Sequence, residues 1–158
     1  MEPSSAGQRI EGVEIKPLRY HLDDRGRLLE ILRRDDPIFQ KFGQVYLTTA
    51  YPGVVKAWHA HQTQYDHLVC IKGSVLLVLY DDREGSPTRG LINEFLLSEY
   101  QPMVVQIPPG IWHGFKNVGT EEALVLNIPT EPYRHEAPDE LRRPAHGDIP
   151  YDWTRRDR

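Results

Sequence analysis

Short apolar runs and polar breaks follow one another along the whole chain, and no run is long. After a polar start over Met1–Gly7, read as a disordered lead, Gly12–Leu18 alternates apolar and polar residues through Val13 and Ile15. Arg27–Leu32 is a second apolar-rich stretch after Asp23-Asp24-Arg25-Gly26, and together they predict an N-terminal β arm with a hairpin. From Gln44 onward the runs take strand length: Val45–Thr49, Val54–Trp58, His67–Ile71, Ser74–Tyr80, Leu91–Leu97, Met103–Ile107 and Ala123–Ile128. The breaks carry turn chemistry. Lys72-Gly73 separates two runs, Asp81–Ser86 is a polar reversal, and Pro108-Pro109-Gly110 is a bend in which proline sets φ and glycine accepts positive values. Many short strands with few helical segments predict an all-β sandwich or barrel. Asp35–Lys41 reads as a brief helix, the tail near Asp139–Arg142 as irregular structure or a short helix, and Ser98–Gln101 as a turn. The expected organisation is one domain over 1–158: an arm over 1–43, a barrel core over 44–129 and an irregular C-terminal tail over 130–158 that wraps the barrel.

Composition narrows the partners. A chain of 158 residues has room for one cored domain, and its 13 Pro and 12 Gly suit many turns between short strands. The net charge of −4 offers no broad basic surface, so nucleic acid is not an expected partner. Cys70 is alone inside an apolar run and forms no intrachain disulfide, which fits a reducing, cytoplasmic setting. Without an apolar leader or a run of about 18 apolar residues, neither export nor a membrane partner is expected.

Two segments carry chemistry. From Gly53 to Gly73 the chain reads G-x5-H-x-H-x4-D-x6-G with His59, His61 and Asp66, and residues two apart on a strand face the same side, so the two histidines share a face. From Pro108 to Asn117 it reads P-x-G-x2-H-x3-N with His113. This pair of motifs resembles those of the cupin superfamily, with Asp66 where a glutamate is usual and without the glycine that commonly opens the second motif. The resemblance implies a double-stranded β-barrel, or jelly roll. It also places His59, His61, Asp66 and His113 at the metal-ligand positions of metallo-cupins, an N/O set suited to several divalent transition metals.

An ordered set of residues carries a further resemblance: Asp24-Arg25-Gly26 with Glu30, Gly53 to His59, Tyr80 to Thr88, Ile107 to Phe115, and Asp148 to Trp153. By these, from about Gly12 to Trp153, the chain resembles the dTDP-4-dehydrorhamnose 3,5-epimerase family and its shorter epimerase-like relatives. The resemblance implies an isomerase of deoxysugar and polysaccharide biosynthesis that moves protons at the carbons flanking a C4 ketone and needs no cofactor. It implies His59 as the general base and Asp148 as the carboxylate that orients it. Arg25, Glu30 and Lys56 fall where the family contacts the nucleotide-sugar substrate, Arg25 and Glu30 often reaching into a neighbouring subunit. His113 and Asn127 line the same substrate pocket.

Two departures stand out. Asn127 occupies the position of the family's acid tyrosine and cannot give up a proton at neutral pH, leaving Tyr46, Tyr65 and Tyr133 as substitutes. Asp66 stands where the family has an enolate-stabilising lysine, and an anion there repels an oxyanion unless it is protonated or holds a metal. Two other readings therefore stand beside the epimerase: a metal-dependent dioxygenase or isomerase, and a sugar-binding cupin without turnover. Trp58 and Trp112 precede pocket histidines and are expected to pack on the opposite face, and His67 is expected to be structural. The polar arm suggests strand addition to a partner's sheet, hence a homodimer.

Overall fold

The computed structural model describes residues 7–157, so the polar start over 1–6 lies outside the described residues. Among the described residues there are twelve strands and no helix. Five antiparallel strands form the first sheet in the order β1 (Glu14–Pro17), β9 (Met103–Ile107), β6 (Asp66–Lys72), β11 (Ala123–Asn127), β4 (Tyr46–Ala50). The second sheet runs β12 (Leu141–Arg142), β5 (Val55–Ala60), β10 (Ile111–Asn117), β7 (Ser74–Asp81), β8 (Ile92–Ser98). A separate hairpin joins β2 (Tyr20–Asp23) to β3 (Gly26–Leu29). Leu77, Leu79, Phe95, Val105, Ile107 and Val125 pack together as the barrel interior. Burial of each such large side chain contributes about 1.5–3 kcal/mol, so this interior is what holds the two sheets together. This is an all-β barrel as the strand spacing predicts, and the jelly roll that the cupin resemblance implies.

A second apolar cluster lies outside the second sheet. Trp58, Trp112, Ile149 and Trp153 pack there, with the rings of Trp58 and Trp153 5.0 Å apart and the Arg143 guanidinium 4.3 Å from the Trp112 ring. The tail is thus fastened by aromatic burial, and both tryptophans of the histidine motifs pack rather than line the pocket.

Four expectations are corrected by the fold. Half of the arm is not free, because β1 pairs with β9 of its own sheet; the β2–β3 hairpin is the part left apart. Asp35–Lys41 is a series of turns, since Pro37 disfavours helix at Asp36 and the Asp36 carboxylate accepts the Arg33 N–H at 2.7 Å. Asp139–Arg142 is not helical either: Leu141 and Arg142 pair as β12 with Ala60 and His59. Finally, Ile111–Asn117 is a full strand absent from the predicted set. Its residues Ile111 to Phe115 are buried, by the core on one side and the tail on the other, but His113 and Gly114 break the run, so it shows neither alternation nor a continuous apolar stretch.

Candidate active site

β5 and β10 bring the two motifs together at the barrel mouth. Their antiparallel register sets His113 opposite His59, and a bulge between His113 and Phe115 leaves Ala57 and Trp58 facing Gly114. Bulges of this kind re-aim neighbouring side chains. A Cβ on Gly114 would fall 2.3 Å from Ala57 Cβ, so glycine is what lets the two histidine strands approach this closely.

Asp66, at the start of β6, is buried and satisfied from three sides. Nε2 of His61 and Nε2 of His113 each lie 3.1 Å from Oδ2, and Gln64 Nε2 donates to Oδ1 at 2.7 Å. Burial pushes this carboxyl up, but the bonds from His113 and His61 outweigh it and hold the group well below the usual carboxylate range. Burial likewise lowers the His61 imidazole, yet the bond and charge of Asp66 prevail and raise it to about 9. The contacts with the two imidazoles thus favour the ionised form of Asp66 and the protonated form of His61, and an anion so paired repels an oxyanion less than a lone one. The outer nitrogens are fixed as well, with Nδ1 of His61 2.5 Å from Asp139 O and Nδ1 of His113 3.0 Å from Ile111 O.

His59 stands slightly apart, its ring 6.5 Å from that of His113. The three donors that converge within 4.8 Å are those of His61, Asp66 and His113, so among the expected metal positions His59 is the one set aside. Nδ1 of His59 lies 2.9 Å from Glu140 Oε1, an ion-pair contact without hydrogen-bond geometry. Burial, then the charge of His113, lowers the His59 imidazole, while Glu140 opposes them. His59 is consequently neutral at physiological pH, the form a general base requires. Glu140 is held by Arg142 at 3.0 Å; burial raises its carboxyl, but Arg142 and His59 keep it ionised.

The carboxylate beside His59 is thus Glu140 and not Asp148. Asp148 is 70% exposed and sits 3.8 Å from the Arg143 guanidinium. The reason is β12: its pairing with β5 brings the residue just before Leu141 over the mouth and carries Asp148 past it. Asp139 anchors this stretch by accepting the backbone N–H groups of Gln62 and Thr63 at 2.7 and 2.9 Å. The sequence reading missed Glu140 and Gln64, because a two-residue strand carries no periodicity and the stretch around it reads as irregular structure or a short helix.

Other expected site residues divide clearly. Lys56 and Asn127 line the cavity with His59, His61, Asp66 and His113. Asn127 is buried, accepting the His67 N–H at 2.9 Å and donating to the Tyr46 hydroxyl at 2.9 Å. Arg25 and Glu30 are not in this chain's pocket: Arg25 is 85% exposed beside Asp23, and Glu30 pairs with Arg33 on the surface. His67 is fully buried with Nδ1 2.7 Å from Ile128 O, a structural histidine. The cavity, about 160 Å³, opens through Tyr46, His61 and Glu140 into a wider groove of about 860 Å³ under the tail. Small-molecule sites span about 300–1,000 Å³, so a ligand reacting at the bottom must extend into the groove.

A jelly roll whose mouth gathers histidines and carboxylates around a small cavity is a cupin. The family model described as "Polysaccharide biosynthesis C-terminal domain" matches residues 21–141. The probable low-salt glycan biosynthesis epimerase Agl13 of Haloferax volcanii is 45% identical over 145 residues, 90% of this chain and 89% of that protein. The dTDP-4-dehydrorhamnose 3,5-epimerase of Mycobacterium tuberculosis is 34% identical over 112 residues, 65% of this chain and 54% of that enzyme. The crystal structure of a dTDP sugar isomerase from Desulfovibrio desulfuricans G20 superimposes with a TM-score of 0.88 at 34% identity, covering 94% of each chain. The chain belongs to the polysaccharide-biosynthesis C-terminal domain family, among its cupin-fold, epimerase-like members.

Proposed function

We propose that this protein is an epimerase acting on a nucleotide-linked 4-keto-6-deoxy sugar, with dTDP as the carrier, in the building of a polysaccharide. The observation that carries this reading is the His59–Glu140 pair at the cavity: a neutral, half-buried imidazole whose Nδ1 faces an ionised carboxylate. Nε2 of His59 takes the proton from the carbon beside the C4 ketone, and Glu140 stabilises the imidazolium that results. The enolate oxygen develops negative charge in a cavity lined by the Lys56 ammonium and the His61 imidazolium. The nucleotide lies along the groove under the tail. The test is solvent deuterium uptake with dTDP-4-keto-6-deoxyglucose: uptake beside the ketone, lost in His59→Ala, is expected, and saturable binding without uptake would make the protein a sugar-binding cupin instead.

A second reading rests on the convergence of His61, Asp66 and His113. With Nδ1 of each imidazole turned to a backbone carbonyl, both Nε2 atoms face the carboxylate, the arrangement that outer hydrogen bonds impose on metal-binding histidines. A divalent cation held there would polarise the ketone. Stoichiometric metal in protein purified without chelator, with activity lost to EDTA, would favour it.

The working unit in this proposal is a cytoplasmic homodimer. Leu22 and Leu28 of the β2–β3 hairpin are 77% and 59% exposed, and Arg25 and Glu30 sit on or beside that hairpin, away from their own cavity. Docked on a second copy, the hairpin buries those leucines and carries both polar residues toward the neighbouring groove. No described helix is long and apolar enough to cross a membrane.

A further inference from the structure

Inverting a carbon requires a base on one face and a proton donor on the other. His59 stands on β5 of the second sheet, so the donor belongs on the wall built by the first sheet. We infer that Tyr46, on β4 of the first sheet, is the catalytic acid that protonates the sugar carbon on the face opposite His59. This rests on the epimerase reading.

Several observations converge on this residue. Tyr46 is the tyrosine among the side chains lining the cavity that holds His59, Lys56 and His113. Its cross-strand partner in the β4–β11 ladder is Asn127, whose Nδ2 donates to the phenol oxygen at 2.9 Å. Asn127 is itself fixed, because its Oδ1 accepts the His67 N–H, so the amide hydrogen can only point toward the phenol. Among the described residues the phenol oxygen accepts this one bond and has no acceptor for its own hydrogen, which stays available to a ligand in the cavity that Tyr46 lines. The hydroxyls of Tyr20 and Tyr151, in contrast, donate to Glu99 O and Glu94 Oε1. Of the other two substitutes, Tyr133 lies in the outer groove against the His135 ring and Tyr65 is not in the cavity lining. Burial and the charge of Asp66 keep the phenol protonated at rest, and Asn127 works against them by favouring the phenolate.

The proton balance closes. His59 Nε2 removes the carbon-bound proton, the electron pair forms the enolate, and the Tyr46 O–H delivers a different proton to the opposite face as the ketone re-forms. The phenolate, held by the Asn127 N–H, takes a proton from water, and His59 releases its own to water. Asn127 thus acts as a positioning residue.

The experiment follows dTDP-4-keto-6-deoxyglucose in deuterated water by NMR, reading exchange and inversion separately in wild type, Tyr46→Phe and His59→Ala. Tyr46→Phe is expected to keep exchange within about threefold, since His59 still removes a proton and returns deuterium on its own face, while inversion falls by about 100-fold or more. His59→Ala loses both. Inversion at the wild-type rate in Tyr46→Phe overturns the assignment and leaves the epimerase reading intact, and so does loss of exchange together with inversion. A wild type that neither exchanges nor inverts overturns the reading itself and the assignment with it.

Discussion

His59 and Glu140 meet at the barrel mouth with Nδ1 and Oε1 2.9 Å apart, although 81 positions separate them in the chain. Glu140 raises the His59 imidazole against burial and the charge of His113. Glu140→Gln keeps the volume and removes that support, so the His59 pKa falls further. The acid limb of the kcat/KM profile should move to lower pH while kcat drops ~10- to 100-fold, as for a base that loses its charged partner. Asp148→Asn, altering a solvent-exposed carboxylate, should leave both within about twofold of wild type, a change too small to reflect loss of such a partner.

Asp66 should matter first for stability. Asp66→Asn removes the carboxylate that holds the proton on His61, and losing one partner of a buried pair costs about 3–5 kcal/mol, read by denaturant unfolding. The pH dependence has a definite sign. The folded pKa of His61 lies near 9, above its ordinary value of 6.5, so the pair's contribution is complete below pH 6.5 and fades as pH rises through about 9. Wild type should lose stability across that window, and Asp66→Asn should not.

Asp81 gives the opposite limb. Its buried carboxylate accepts Arg83 Nη2, Ser86 Oγ and Thr88 Oγ1 at 3.0, 2.7 and 2.6 Å, closing the reversal between β7 and β8. Burial raises this group, but those bonds outweigh it and depress the pKa. The contribution is present above the ordinary value of 3.8 and is lost as pH falls below it. The stability difference between wild type and Asp81→Asn should be largest near neutrality and shrink by pH 3 in acid unfolding.

Gly114→Ala tests the strand approach. The added methyl meets Ala57 Cβ at 2.3 Å and Lys56 O at 2.9 Å, so β5 must move away from β10. Overpacking of this kind costs about 1–3 kcal/mol, measured as a lower unfolding midpoint. Because His59 and His113 face each other across the same pair of strands, activity should fall more than stability accounts for.

The corrections share one cause. Local chemistry marks strands where one face meets water, as in Val55–Ala60, and marks turns where Pro and Gly sit, as at Pro108-Pro109-Gly110. It does not mark β10, whose apolar run is broken by His113 and Gly114, nor β12, whose two residues are a strand only because β5 supplies the partner. The tail acid followed from that second omission. Asp148 looks suitable as a carboxylate in sequence, yet the short ladder of β12 decides which acid stands over His59.

An all-β sandwich or barrel was legible in the sequence, because alternation and turn residues act within a few positions of themselves. The jelly roll and the residues Lys56, His59, His61, Asp66, His113 and Asn127 came from the resemblance of the motifs to known families, and the structure brings those six side chains to one cavity. That Glu140 stands beside His59, that Asp66 lies between two imidazoles and that Asn127 holds the Tyr46 phenol follows only from the folded chain. Each of those depends on charge, burial and register between segments far apart in the chain, and such terms exist only once the sheets have closed.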